Sequence, residues 1–325
     1  MRKTYSYMVT GEKVYTNVYV TAFGAVGDGV ADDTAAIQSA LDSVRDGGTI
    51  IFPAGVYKLT GSVYFYSHQR LIFEGGATLL QGAPLNNLLM NYSTAAMGGY
   101  EATENVVIDG ATFDGGACTT NNTLMGICHS KNITIRGCSF RNGYGAWHDL
   151  EINSSKNVLV SDCVFEGLRR TDKNACLIQV DSFNNTDTWP WGNGLVDGTV
   201  SRMVDIRNSF FHDCAIAPAI GNHSTSVVDC IRIHDCIFEG LTSNRGAINF
   251  QSAKNVDVYN NTFDGCTSGV TIGTSDGPNT VHDNRFIDVT QVCGNGIGAY
   301  NNTVNGRLTI EVGASTSGLL DATVE

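Results

Sequence analysis

The chain has 325 residues, of which 37 are glycine and only 5 are proline, and its formal net charge at pH 7 is -12. A chain this acidic, with no basic stripe to replace phosphate counterions, is not expected to bind nucleic acid or an anionic membrane. No apolar run approaches the about 18 residues that a membrane-spanning helix needs, and residues 1–20 lack the apolar core of a signal peptide.

The first elements in chain order are an extended leader over residues 1–20 and a cap over residues 21–48. Asp32 or Asp33 can cap a helix that starts just after them. The apolar stripe of this helix consists of Ile37, Ala40, Leu41 and Val44. Since the terminal repeats of a solenoid must cover its core, we expect the helix to close one open end.

From residue 49 the chain carries a repeat that is marked by a recurring phenylalanine. The phenylalanines of the repeat are Phe113, Phe140, Phe165, Phe211, Phe238, Phe263 and Phe286, at spacings of 27, 25, 46, 27, 25 and 23 residues. The positions five and seven before each Phe are nearly all Ile or Val, while the positions between them are mostly polar. Such a period of two predicts a strand with one buried face, and Ala175–Val180 and Ala247–Phe250 predict a second strand in each repeat.

Short strands at a fixed repeat, without a helical period, indicate a β-solenoid whose coils stack at about 4.8 Å. We expect one domain, because a solenoid grows by adding coils, with coils over residues 49–312 and a tail over residues 313–325. Several of the ten cysteines share columns of the repeat, so we interpret them as small apolar filler. They show no spacing typical of a metal site.

The cap and first coil contain FGAVGDGVADDTAAIQSAL and GGTIIFPAGVYKL, which resemble the amino-terminal signature of the pectate-lyase-like superfamily. This resemblance implies an all-β, single-stranded right-handed parallel β-helix with an N-terminal capping helix. The superfamily includes polygalacturonase-like glycoside hydrolases, polysaccharide lyases, epimerases and phage tailspike depolymerases. Asn185-Thr186-Asp187 matches part of the polygalacturonase pattern, but the paired Asp and the Gly-His-Gly motif are missing, so no catalytic residue is transferred from it.

Side chains alternate between inward and outward along a strand, and this alternation, which we call strand parity, predicts a candidate site instead. If Leu150, Ile178 and Ile220 point inward, polar residues one position away point outward in two adjacent columns. These columns are Glu151, Gln179, Gly221 and Asn249, and beside them Asn153, Asp181, His223 and Gln251. Polar residues at every level predict a groove along the outside of the solenoid, although a solvated face would show the same pattern.

Glu151 and Asp181 are the candidate catalytic pair. Asp181 lies one coil and two residues from Glu151, so their backbones are roughly 8 Å apart. That separation lies within the about 6.5–9.5 Å that inverting glycosidases leave for a water molecule between acid and base. We expect Glu151 to be the acid and Asp181 the base, or the reverse. Asp149 would raise the pKa of Glu151 by like-charge repulsion, and His223 would orient Asp181.

Further side chains could bind substrate in this groove. The candidates are His148, Gln179, Asn249, Gln251, Arg245 and the sugar-stacking aromatics Trp147, Trp189 and Trp191. A loop that buries its own tryptophans is the alternative.

Another face of the solenoid predicts an ion-pair ladder. Its residues are Asp205, Arg232 and Asp257 in one column and Arg207, His234, Tyr259 and His282 in another.

The sequence therefore predicts an enzyme that cleaves a polysaccharide or oligosaccharide, by inverting hydrolysis and without a cofactor or metal. One alternative is a β-eliminating lyase acting on uronate polymers, with Arg245 as base and possible use of calcium. The other is a non-catalytic glycan-binding adhesin or phage tail module. The chain could be a monomer or a homotrimer, and an extracellular or virion-associated location fits these functions best.

Overall fold

The computed structural model describes residues 16–183, 194–274, 277–289, 291–293, 297–305 and 322–324. In these ranges the chain forms a parallel β-helix, in which three stacks of parallel strands surround one apolar core. We call the three stacks face A, face B and face C, in the order A, B, C along each coil. No helix among the described residues is long and apolar enough to cross a membrane.

Face A starts each repeat. Its strands are Thr16–Tyr19, Gly48–Phe52, Gln69–Phe73, Thr103–Asp109, Ser130–Arg136, Lys156–Ser161, Arg202–Arg207, Val228–His234, the second half of Ile248–Tyr259, Thr280–His282 and Gly298–Tyr300. The end of the leader forms the first of these strands, since Thr16–Tyr19 pairs in parallel with the strand that starts at Gly48.

Face B contains the recurring phenylalanine. Its strands are Asp28–Asp32, Val56–Leu59, Thr78–Gln81, Thr112–Asp114, Ser139–Arg141, Val164–Glu166, Phe210–His212, Ile237–Glu239, Thr262–Asp264, Arg285–Ile287, Asn302–Asn305 and Ala322–Val324. The sequence predicted two strands per repeat, and face B is the third. It is separate from face A because left-handed residues such as Gly137 and Asp162, with φ of 60° and 56°, turn the chain between them.

Face C carries the candidate site. Its strands are Val63–Phe65, Asn87–Asn91, Thr123–Cys128, Leu150–Asn153, Ile178–Asp181, Ile220–Asn222, the first half of Ile248–Tyr259, Ser268–Thr274 and Gln291–Cys293. The last residues of the predicted coils, 306–312, and most of the predicted tail lie outside the described residues.

The predicted columns are confirmed by the register. Ile135 pairs with Ile108 on one side and Val160 on the other, and all three are buried. The phenylalanine rings of face B stack through the core; Phe165, for example, lies 4.6 Å from Phe140 and 5.0 Å from Phe211 between ring centroids. Of the nine cysteines whose side chains are described, seven are buried and all nine are free thiols, which agrees with their interpretation as filler.

An asparagine recurs near the start of several face A strands because the chain bends there and requires a left-handed residue. Asn105, Asn132 and Asn157 have φ between 53° and 57° there. Asparagine tolerates this conformation better than most residues. The side chain of Asn132 donates to that of Asn105, and Asn157 to Asn132, both at 2.8 Å. These bonds tie successive coils together.

The predicted helix is present at Thr34–Ser43, and Ile37, Ala40 and Leu41 on its apolar side are fully buried in the core. The two candidate capping residues have different roles. Asp32 accepts a hydrogen bond from the Thr34 backbone at 3.1 Å, while buried Asp33 accepts from the backbone of Val26 at 2.6 Å and so fixes the preceding loop. Closure of the solenoid end by this helix stays a prediction.

The predicted ladder on face A is a stack of rings as well as charges. His234, Tyr259, His282 and Tyr300 stack in order, with centroid separations of 4.7, 5.3 and 4.7 Å. Asp205 lies 3.1 Å from His234, and Asp257 lies 3.1 Å from His282. These contacts fit the ladder role that the sequence indicated for this column.

Candidate functional site

Two neighbouring strands of face C place a block of four polar side chains on the outside of the solenoid. Leu150–Asn153 and Ile178–Asp181 pair in parallel, so that Glu151 lies opposite Gln179 and Asn153 lies opposite Asp181. The predicted register is confirmed. The two carboxylates are therefore diagonal, at roughly 8 Å between backbones from one coil spacing and two residues of strand.

Each carboxylate in this block accepts a hydrogen bond from an amide on its own strand. Asn153 Nδ2 donates to Glu151 Oε1, and Gln179 Nε2 donates to Asp181 Oδ2, both at 2.9 Å. Thr123 Oγ1 adds a longer bond of 3.4 Å to Glu151 Oε2. Within the described part of the chain, the buried oxygens Oδ1 of Asn153 and Oε1 of Gln179 have no hydrogen-bond partner.

The block is buried, whereas the sequence predicted an open groove. Glu151 is 7% exposed and Asp181 is 4% exposed. The two outward columns are also apolar before Glu151, since they contain Met90 and Cys128, which pack with Phe183 in a small separate cluster. The polar columns that the sequence predicted therefore begin at Glu151 and Asn153, because this cluster covers the outer face before them.

Burial also sets the protonation of the pair. It raises the pKa of Glu151 well above its usual range, and the nearby Asp181 charge raises it further, against the bonds from Asn153 and Thr123. Burial likewise raises the pKa of Asp181. Hydrogen bonds from the Ser224 hydroxyl and the Ser182 backbone oppose that rise, as does the neighbouring His223.

Asp149 does not act as predicted. Its side chain is fully buried in an ion pair with Arg170, whose side chain is also fully buried. The pKa of Glu151 is raised by burial first and by repulsion from Asp181 second, not by Asp149. Arg170 comes from an irregular segment whose sequence gives no signal of this contact, so parity alone placed Asp149 in the groove.

Two histidines lie at the edge of the block. His223 is exposed, and its ring lies 5.6 Å from that of His148, with the planes inclined by 28°. His148 is buried, and its Nδ1 is 2.9 Å from the Cys176 carbonyl oxygen. Since a carbonyl only accepts, Nδ1 carries the proton; burial lowers the pKa of His148 well below its usual range, so the ring is neutral.

The predicted substrate-binding residues of the following coil meet beside His223. Arg245 Nη1 donates to Asn174 Oδ1 at 2.5 Å, and Asn249 Nδ2 donates to the Arg245 carbonyl at 3.1 Å. When the Gln251 amide is oriented to fit its neighbours, its oxygen accepts from Arg245 and its nitrogen donates to the His223 carbonyl, both at 3.2 Å.

Other predicted residues lie differently. Trp147 is partly buried next to His148, while Trp189 and Trp191 lie outside the described residues.

Strand parity missed two residues at the site. Ser224 donates a hydrogen bond to Asp181, and the buried side chain of Asn222 accepts from the Gln251 backbone at 2.7 Å. A Gly-Asn-His-Ser sequence at the end of a short strand is a turn signal that could have indicated both.

No group of three or more His, Cys, Asp or Glu side chains suited to a metal ion occurs among the described residues. The expectation that the protein works without a cofactor is not tested by this observation and stays a prediction.

Comparisons with known proteins give relatives of several kinds. The chain is 29% identical over 296 residues to plasmin and fibronectin-binding protein A of Streptococcus pneumoniae, covering 79% of this chain and 40% of the relative. It is 25% identical over 257 residues to exo-poly-alpha-D-galacturonosidase of Dickeya chrysanthemi, covering 76% of this chain and 40% of the relative. The chain thus spans two fifths of the length of each of these curated relatives.

A solved structure shows the same fold at lower identity. The tailspike protein of Escherichia coli bacteriophage HK620, solved in complex with a pentasaccharide, aligns with a TM-score of 0.64 and 15% sequence identity. The alignment covers 95% of this chain and 59% of the tailspike chain. This likeness supports the parallel β-helix fold.

The family comparison agrees with the coil register and the amino-terminal signature. The model described as rhamnogalacturonase A/epimerase, pectate lyase-like matches residues 15–298, and the chain belongs to this family.

Proposed function

We propose that this protein acts on carbohydrate, and that it hydrolyses glycosidic bonds of a polysaccharide or oligosaccharide at the outer face around Glu151 and Asp181. The observation that carries the proposal is the burial of two carboxylates in one block without a bonded cation among the described residues. Burying a carboxylate in this way lowers stability, and an amide of the same shape would avoid the loss. Such groups are typical of functional sites.

The protonation of the pair fits acid–base catalysis. Glu151, with its raised pKa, retains a proton towards neutral pH and could donate it to the departing glycosidic oxygen. Asp181, supported by Ser224 and His223, would activate a water on the other side of the sugar ring. The backbones of Glu151 and Asp181 are roughly 8 Å apart. Carboxyl groups that keep this separation would leave room for that water, as inversion requires, and the two roles could be exchanged.

The remaining residues would bind the sugar at the edge of the block. Exposed His223, neutral His148 and the amides of Asn249 and Gln251 offer donors and acceptors to sugar hydroxyls. Arg245 would bind a negatively charged group, or act as the base if the reaction were β-elimination on a uronate. The names of the galacturonosidase relative and of the pentasaccharide-bound tailspike support a glycan partner.

A second candidate is a non-catalytic glycan-binding module, either a surface adhesin or part of a phage tail. Two observations favour it. Both carboxylates are largely buried, and one relative of 29% identity is named for binding plasmin and fibronectin. Either function fits an extracellular or virion-associated location and a monomer or homotrimer.

A polysaccharide panel separates these functions. New reducing ends and near-ultraviolet absorbance would be measured for the wild type, Glu151→Gln, Asp181→Asn and the control Glu104→Gln, which alters a surface carboxylate on face A. The hydrolase predicts reducing ends without absorbance, lost in the first two variants and retained in the control. Absorbance would show a lyase, binding without cleavage would show an adhesin, and activity that survives both substitutions would exclude this site.

A further inference from the structure

A second cleft lies at the amino-terminal end of the same outer face. It is open to solvent, and its volume of about 510 Å³ lies between the helix Thr34–Ser43 and the first coils of face C. Its lining includes Gln38 and Asp42 from the helix and Tyr64, Tyr66 and Tyr92 from the coils. Neither the predicted groove nor the carboxylate block includes these residues.

Tyr64 provides an exposed aromatic surface at a fixed position. It is 37% exposed and lies in a strand between fully buried Val63 and Phe65. Gln38 holds the Tyr64 backbone from the helix, because its Oε1 accepts from the Tyr64 nitrogen at 2.8 Å and its Nε2 donates to the Tyr64 carbonyl at 3.2 Å. An exposed ring on a backbone that is held in this way suits the apolar face of a sugar.

The other two tyrosines do not form an empty cage for a cation. The guanidinium of Arg45 already lies over both rings, 4.4 Å from the centroid of Tyr66 and 4.6 Å from that of Tyr92. The Tyr66 hydroxyl donates to Asp42 Oδ1 at 2.6 Å. A cationic ligand would therefore compete with a group that the chain itself supplies.

The side chains that line the cleft disfavour anionic ligands, although the Arg45 guanidinium lies against two of the lining rings. Its lining contains the carboxylates of Asp32 and Asp42 and, among the described residues, no lysine or arginine. Asp42 Oδ1 accepts from both Gln38 and Tyr66, whereas no hydrogen bond to its Oδ2 is formed within the described part of the chain. The cleft thus offers a carboxylate acceptor to a hydroxyl donor and repels a uronate.

We propose that this cleft binds a neutral pyranose unit of a glycan, with the sugar ring on Tyr64 and a hydroxyl donating to Asp42. Tyr64 pairs with Met90, Met90 with Gly126 and Gly126 with Glu151, so the cleft is three coils, or about 14 Å, from the carboxylate block. Because Met90 is buried between them, this is a separate subsite. The proposal rests on the proposed glycan class but not on catalysis.

The test is a binding titration on the Glu151→Gln variant, so that no probe is cleaved. The probes are cellohexaose, maltohexaose, mannohexaose and hexagalacturonate. At least one neutral hexasaccharide is expected to bind, with an affinity that falls about tenfold in Tyr64→Ala and is retained in Tyr64→Phe. Hydrogen exchange should show protection by that sugar over Thr34–Ser43 and Val63–Phe65.

The proposal is overturned if no neutral probe binds, if Tyr64→Ala binds as tightly as its parent, or if protection is confined to other parts of face C. The unfolding midpoints of the Tyr64→Ala and Tyr64→Phe variants are measured as well. If the two midpoints are equal, weaker binding by Tyr64→Ala reports loss of the ring and not loss of the fold. Reducing-end release by protein with Glu151 intact tests the hydrolase separately, so either idea can fail without the other.

Discussion

The buried Asp149–Arg170 pair gives a sharp test of whether Asp149 supports the fold or performs chemistry. We consider the substitution Arg170→Met, which keeps a long apolar side chain and removes the guanidinium. In the wild type this group bonds Asp149 and donates to the carbonyls of Asn122 and Tyr144 at 2.9 and 3.0 Å. The variant leaves one buried carboxylate without a cation and removes a donor from each of two carbonyls, of which that of Tyr144 still accepts from the Asn122 backbone at 3.3 Å.

The expected loss follows from that burial. Neither side chain of the pair is exposed, so removal of one partner should lower the free energy of unfolding by about 3–5 kcal/mol. The matched control is Arg136→Met, because Arg136 also pairs with an aspartate, Asp109, at 2.6 Å, but with side-chain exposures of 47% and 31%. For that exposed pair we expect a loss of about 0–1 kcal/mol.

Urea unfolding followed by circular dichroism measures both losses. The single variant Asp149→Leu and the double variant Asp149→Leu/Arg170→Met then measure the coupling between Asp149 and Arg170. The double variant should lose less than the sum of the single variants, because no uncompensated charge remains. Equal losses for Arg170→Met and Arg136→Met, or additive single losses, would refute the structural role. Asp149 would then again be a candidate for the chemistry.

Two further predictions concern stability. Burial raises the pKa of Glu151 in the folded state. Above the unfolded pKa of about 4.3, the folded state therefore binds more protons than the unfolded state. The free energy of unfolding of the wild type should then fall as pH rises through the folded pKa. Glu151→Gln should therefore unfold at higher urea than the wild type at pH 8 and at the same urea at pH 4; a difference independent of pH would contradict this. Phe165→Ala, which removes a fully buried ring stacked on two neighbours, should lower the free energy of unfolding by about 3–5 kcal/mol in the same assay. Phe23→Ala, at a 36% exposed ring, should stay within about 1 kcal/mol of the wild type, and similar losses at both positions would refute the core stack.

The sequence was sufficient to predict the coil because its columns follow strand parity. Ile108, Ile135 and Val160 recur at one offset, and the register stacks them as expected. Face B was missed as a strand because its members, such as Val164–Glu166, are three residues long and too short to show an alternation.

Strand parity predicted only the part of the candidate site that lies on regular strands. Parity placed Glu151 diagonal to Asp181, since both strands are regular. It could not show that the block is buried. Burial of an outer face depends on contacts between segments that are distant in sequence, and the contact of Phe183 with Met90 is an example. Nor could it show that Arg170 neutralises Asp149, since an irregular loop has no periodicity to predict its contacts.

The most direct test of the account is a crystal structure of the Glu151→Gln variant with the oligosaccharide that binds best in the polysaccharide panel. The account predicts a sugar unit in contact with His223 and within hydrogen-bond reach of residue 151 and Asp181. Oligosaccharide bound only on face A or face B, with the carboxylate block of face C unchanged, would contradict it.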